Sequence, residues 1–299
     1  MTPSVLALIA LPGVIAAVLW IGLARSSGRI PLVERALPLI VAVAYAPAHF
    51  ALFGFNLTPT DVTHYLPHVM LLASLAAAAS PSSAAWSRRL AVVALATGVA
   101  SFVLLRPLAL PASGPADTKM LGGALAVALL ATLAWREASK GASLTAGAGM
   151  SALLMLLVAG ACTLSGTLIL GQLAGAGVAA FAGLLVASRL SRRLELDGST
   201  LLTVAGIFSA ACVMLARYYA EMRPEVVYIL LLMPVVAWTL QRRLKRRLLL
   251  VQLASMLLIG GAASARAFMV APLTASGASE TESKPGDATD TDYGYGYDQ

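Results

Sequence analysis

The sequence predicts an all-α fold, a polytopic transmembrane bundle of about ten helices, and three observations carry that expectation. Hydrophobic residues make up 59% of the chain and charged residues only 12%, against roughly 25% charged in an ordinary soluble domain. The apolar residues fall in runs close to the length that spans a bilayer, about 20 residues. The basic residues fall between those runs in a regular alternation. A mean hydropathy of +0.83 is more than one soluble core can absorb. A bilayer accepts it, provided each backbone N–H and C=O is satisfied inside its own helix.

Taken in order, the first run, 3–24, has no Lys or Arg ahead of it and exceeds a signal-peptide core, so it is expected to be a retained helix. The second, 36–55, carries Pro47 and His49. The third, 66–80, is short, and its start extends back toward Thr60. Runs at 89–108 and 119–135 follow, the former ending on Arg106-Pro107. The charge-free stretch from Leu144 to Ser188 is too long for one span, so it predicts two, 147–168 and 171–188, with a tight turn near Gly171. The last three runs are 199–217, 225–241 (interrupted by Pro234) and 248–271. From Thr274 the composition changes to Gly, Ser, Thr, Asp, Glu and Tyr. The chain therefore divides into a helical domain, 1–273, and an acidic Gly/Tyr-rich tail, 274–299, expected to be disordered because it has too little apolar surface to fold.

Charge gives the bundle two sides. Loops on the cytoplasmic face of a membrane protein collect Lys and Arg. Alternate loops here hold 15 of the 21 basic residues and only four acids, and each of them is net positive. The other side holds six basic and ten acidic residues. The alternation predicts a multi-pass protein of a bacterial inner membrane with both termini outside. The net charge of +7 is spread over these short loops rather than gathered in a basic domain, which argues against nucleic acid as a partner. Membrane lipids are the expected partners, and the cluster from Arg242 to Arg247 is an anchor for anionic lipid of the inner leaflet.

Two groups of residues carry candidate chemistry. Asp61, His64 and His68 are spaced three and four apart, a pattern that lets one helical face present a carboxylate and two imidazoles to a divalent metal. Pro67 interrupts that face, and an interfacial loop is the plainer expectation. His49 is an ionisable residue inside an apolar span, which marks a functional position or a neutral imidazole bonded between helices. The second group is four arginines on the side that should lack them: Arg106, Arg217, Arg223 and Arg266. Guanidinium groups at that boundary suit phosphate or carboxylate. The alternative for each alone is snorkelling or a surface ion pair.

These patterns predict a transporter or flippase-like carrier of a small anionic or amphiphilic substrate, bound from the outer side by the four arginines and His49. An enzyme embedded in the membrane and acting on a lipid-linked or cell-envelope substrate is the alternative, with His49, His64, His68 and Asp61 as its chemistry. No cofactor is expected beyond that divalent metal. No hydrolase, metalloprotease or phosphate-loop signature occurs in the sequence. Small residues in the hairpin, including Gly171-x-x-x-Gly175, keep open a third role as a non-catalytic subunit of a membrane complex or a homo-oligomer.

Overall fold

The computed structural model describes residues 3–26, 30–54, 59, 61–81, 84–109, 115–138, 141–191, 196–220 and 222–244, with isolated positions 261, 262 and 265. They form nine α-helices: α1 (Pro3–Ser26), α2 (Ile30–Phe53), α3 (Leu66–Ala79), α4 (Trp86–Ala109), α5 (Pro115–Ala138), α6 (Leu144–Leu164), α7 (Leu168–Leu190), α8 (Ser199–Tyr219) and α9 (Pro224–Leu244). A single 3-10 turn, Val62–Tyr65, precedes α3. No strand occurs among the described residues, and one antiparallel bridge joins Ser143 to Asp197.

Among the described residues, six stretches are long and apolar enough to cross a membrane: Leu32–Phe53, Val62–Ala79, Trp86–Leu105, Leu144–Leu164, Leu168–Leu190 and Ser199–Tyr219. They are compatible with a membrane protein. Shorter apolar stretches occupy α1, α5 and α9. The expected count of ten spans and the placement of both termini find no support among the described residues. The tenth run, 248–271, is described only at its three isolated positions, and the tail, 274–299, lies outside the described residues.

Local chemistry sets the helix ends. Ser143 caps α6 by accepting a bond from the Ala146 N–H at 3.3 Å. Pro67 sits in the first turn of α3, where its missing N–H costs no helical bond. The tight turn between α6 and α7 falls at Ser165–Thr167 and not near Gly171. Gly166 takes φ of +90° there, a left-handed conformation open to glycine. Gly171 instead lies inside α7, where a Cβ would overlap the Thr163 hydroxyl of α6. Its smallness serves helix approach. The same holds between α1 and α7, where a Cβ on Gly183 would overlap the Gly13 backbone.

The centre of the bundle is α8. Every residue from Ser199 to Ala216 is buried, and α3, α4, α5, α6 and α9 pack around it. A helix that is apolar on all sides must be enclosed by protein or lipid; α8 is enclosed by protein. Two of its buried hydroxyls bond within the helix, Thr203 to the Ser199 carbonyl and Ser209 to the Gly206 carbonyl, whereas that of Thr200 lacks a partner. Its last turn delivers Arg217, Tyr218 and Tyr219 to one end of the bundle.

Positions that the charge alternation assigns to one side do meet in space. Trp20 donates to Ser191 at 2.7 Å, Arg136 to the Ser80 hydroxyl at 2.8 Å, and Thr145 pairs with Ser188 at 3.2 Å. With Arg25, Arg35, Arg88, Arg89 and Arg189, these mark the basic end of the bundle. At the opposite end, the Tyr219 hydroxyl donates to the Leu104 carbonyl at 3.1 Å, tying α8 to α4.

Candidate functional site

The opposite end holds a cavity of about 500 Å³ where α2, the 3-10 turn, the α6–α7 turn and α8 converge. Its walls include Phe53, Asp61, Thr63, Thr167, Tyr219 and Ala220. A cavity of this size, mainly apolar with a few convergent hydroxyl and carboxylate groups, fits a small ligand. Asp61 is the N-cap of the 3-10 turn. One carboxylate oxygen accepts from the Val62 N–H and the other from the Thr63 hydroxyl, at 3.3 Å.

The histidines are arranged differently from the sequence pattern. The chain is 3-10 up to Tyr65 and α-helical from Leu66, because Pro67 starts a new helix rather than continuing the old one. Asp61, His64 and His68 therefore do not lie along one α-helical face. His68 Nδ1 lies 3.3 Å from the His64 carbonyl, and the His68 side chain is exposed. Among the described residues, no group of three or more His, Cys, Asp or Glu side chains is placed to hold a metal ion.

What the fold does bring together is His49 and His64. Their rings lie 6.0 Å apart edge to face, with Phe53 packed against both, 4.8 Å from His49 and 5.1 Å from His64. His49 is 3% exposed, and its Nδ1 is buried without a hydrogen-bond partner. One turn earlier on α2, the fully buried Tyr45 packs edge-on against Phe208 of α8 at 5.0 Å, and its hydroxyl also lacks a partner. Phe53 is thus shared by the histidine cluster and the cavity wall. This aromatic contact between separate elements has no periodic signal in the sequence.

The four arginines separate into cases. Arg217 is half-buried at the end of α8, and its Nη1 donates to the Met222 carbonyl at 3.0 Å, closing the turn into α9. Arg223 is exposed at the start of that turn's return, and its carbonyl accepts from the Val226 N–H at 3.1 Å. These two lie three residues on either side of Ala220, which lines the cavity. The backbone of Arg106 belongs to α4, two residues beyond the Leu104 carbonyl that Tyr219 engages. Arg266 lies outside the described residues.

At the basic end, the sequence treats Arg136 as one loop anchor among many, whereas the fold buries it to 1% exposure. Its guanidinium donates to both the hydroxyl and the carbonyl of Ser80, which ends α3. Burial, reinforced by the Arg89 charge, lowers its pKa to about 10, so it stays cationic at neutral pH. A cavity of about 750 Å³ lies at the same end, bounded by Trp20, Ser143, Thr145, Ser188, Arg189, Ser191 and Asp197 among others. Sequence reading missed this cavity too. Its residues come from three separate segments, and hydropathy records the loops only as breaks.

No protein-family model matches the chain, and no curated protein and no solved structure is significantly similar to it.

Proposed function

We propose that the protein is a multi-pass carrier of the inner membrane of a bacterial-type cell, taking a small anionic or amphiphilic substrate at the cavity beside Phe53, Asp61 and Tyr219. The basic end faces the cytoplasm in this reading, as the loop charges require. The single observation that carries the proposal is the position of that cavity. It sits at the less basic end of the bundle, against the last turn of the enclosed helix α8, and the Arg217 to Arg223 turn contributes Ala220 to its wall. Arg217 and Arg223 lie close in sequence to that wall and are the groups that would bind an anion entering there, because the Thr63, Thr167 and Tyr219 hydroxyls already donate to Asp61, the Cys162 carbonyl and the Leu104 carbonyl. Arg106 and Arg266 belong to the same proposal, and so does His49, a buried polar group whose ring lies 4.8 Å from that of Phe53 on the cavity wall.

Proteoliposomes carrying a short-chain, fluorescently labelled phosphatidylglycerol test the proposal with one anionic amphiphile. The wild-type protein should speed its crossing relative to protein-free vesicles. Arg217→Ala and Arg223→Ala together should cut that rate at least about tenfold, since a single charge-assisted hydrogen bond contributes about 1.5–3 kcal/mol. Crossing that is identical with and without protein, for this lipid and for its lyso form, would sink the carrier reading.

A further inference from the structure

We propose that the ligand of the cavity beside Phe53, Asp61 and Tyr219 carries a primary ammonium group next to its anionic group, and that the Asp61 carboxylate receives the ammonium. The inference rests on the reading of this cavity as the substrate site, and it narrows the substrate to a zwitterion.

The polarity of the wall carries the argument. Three side-chain hydroxyls line the cavity, and each gives its proton away: Thr63 to the Asp61 carboxylate at 3.3 Å, Thr167 to the Cys162 carbonyl at 2.7 Å and Tyr219 to the Leu104 carbonyl at 3.1 Å. A hydroxyl whose proton is engaged offers only lone pairs. Asp61 adds a carboxylate, whose oxygens take one bond each, from the Val62 N–H and the Thr63 hydroxyl, and keep further lone pairs. Among the described residues, the side chains of this wall therefore present acceptors and no free donor. An ammonium brings three donors to such a surface. A phosphate or carboxylate brings none and meets the Asp61 charge.

Two further features agree. No ion pair to Asp61 forms among the described residues, so its charge is left for a ligand. Phe53 and Tyr219 add aromatic rings to the same wall, and ring faces attract cations. The anionic part of the ligand has separate partners. Leu168, Ile169 and Leu170 line the cavity in the first turn of α7, where N–H groups lack intrahelical partners and no side chain caps them. Arg217 and Arg223 flank Ala220 in the chain. Leu168 and Ile169 are also exposed, which suits an adjoining acyl chain. A purely anionic ligand uses these groups and leaves Asp61 without a counterpart, whereas a zwitterion uses both sets. An aminophospholipid headgroup and a soluble phosphoethanolamine share that chemistry.

Full-length protein in detergent, titrated under native mass spectrometry with short-chain phosphatidylethanolamine and with its N-acetylated form, tests this. The two lipids share phosphate and chains and differ in the ammonium. The wild-type protein should bind the first at least about tenfold more tightly, the effect of one charge-assisted hydrogen bond. Asp61→Asn removes the charge and keeps an oxygen for the Val62 N–H, so it should abolish the preference while the melting temperature is retained. Equal affinity for the two lipids in the wild-type protein, a comparison that needs no variant, would overturn the proposal. A preference that survives Asp61→Asn would overturn it as well. Glycerophosphoethanolamine separates the two sources of the ammonium. Competition at parity with the lipid assigns it to a soluble ligand, and a need for large excess, as burial of the chains requires, assigns it to a lipid. A preference in binding without assisted crossing in proteoliposomes would remove the carrier reading and leave the ammonium site; assisted crossing without the preference would do the reverse.

Discussion

Arg136 shows how little a charge says about its surroundings when read from sequence. In the chain it is one of fifteen basic residues that mark one face, and its neighbours Glu137 and Lys140 suggest an ordinary polar loop. In the fold it is nearly inaccessible and satisfies the end of a different helix, where the Ser80 hydroxyl also bonds back to the Ala76 carbonyl at 2.6 Å. A helix C-terminus leaves carbonyls without intrahelical partners, and a buried guanidinium is well suited to meet them. Removing it leaves Ser80 buried and the site partly empty. Arg136→Ala should therefore lower stability by about 3 kcal/mol, read as a fall in the melting temperature of the detergent-solubilised protein. Arg136→Lys should recover only part of that, because an ammonium cannot bond the hydroxyl and the carbonyl with one planar fork. An unchanged melting temperature in both variants would show that the contact carries no stability. The arginines at the opposite end were legible as exceptions to the charge rule. Their surroundings were not, because which carbonyl a guanidinium reaches depends on how two helices close a turn, as Arg217 does at Met222.

Helices were the most legible features, and their junctions the least. A long apolar run announces a helix because no other structure satisfies its backbone in lipid. A junction depends on the conformation of one or two residues, and several glycines compete for the same role in the sequence. Gly166 and Gly171 were such competitors: the former turns the chain with positive φ, the latter lets α7 approach α6. The pair Gly171 and Gly175 reads as one motif in sequence, yet a Cβ at Gly175 would meet nothing within 4 Å. The two should separate in experiment. Gly171→Ala should destabilise by about 1–3 kcal/mol through overpacking against Thr163, whereas Gly175→Ala should be neutral or stabilising by up to about 1 kcal/mol from helix propensity. Thermal unfolding of the two variants under the same conditions checks this, and equal effects would refute the distinction. The histidines follow the same logic. Spacing within one segment suggested Asp61 with His64 and His68, but the contact that formed, His49 with His64, joins segments whose relation only packing defines.

For the whole molecule, the two-sided charge pattern was readable because it is a property of loops taken together and survives errors in any one boundary. The alternation makes a direct prediction about access. The two native cysteines, Cys162 and Cys212, are both buried, so single added thiols report cleanly. In intact cells, Thr63→Cys should react with a maleimide that does not cross membranes, while Ser143→Cys should react only after the cells are opened. Reaction of both from outside would refute the proposed orientation. Which helix occupies the centre was not readable. Hydropathy rates lipid-facing and protein-facing surface alike, and α8 is barely more apolar to a reader than α6 and α7.

The enclosure of α8 also carries a consequence for biosynthesis. Of the described helices that pack against it, α2, α3, α4, α5, α6 and α7 all precede it in the chain, and α9 follows. By the time α8 leaves the ribosome, most of its permanent surroundings have already been inserted, so its passage through lipid on the way to the middle of the bundle can be brief. A nascent chain that stops after Tyr219 would already hold six of the seven described helices that pack against this one.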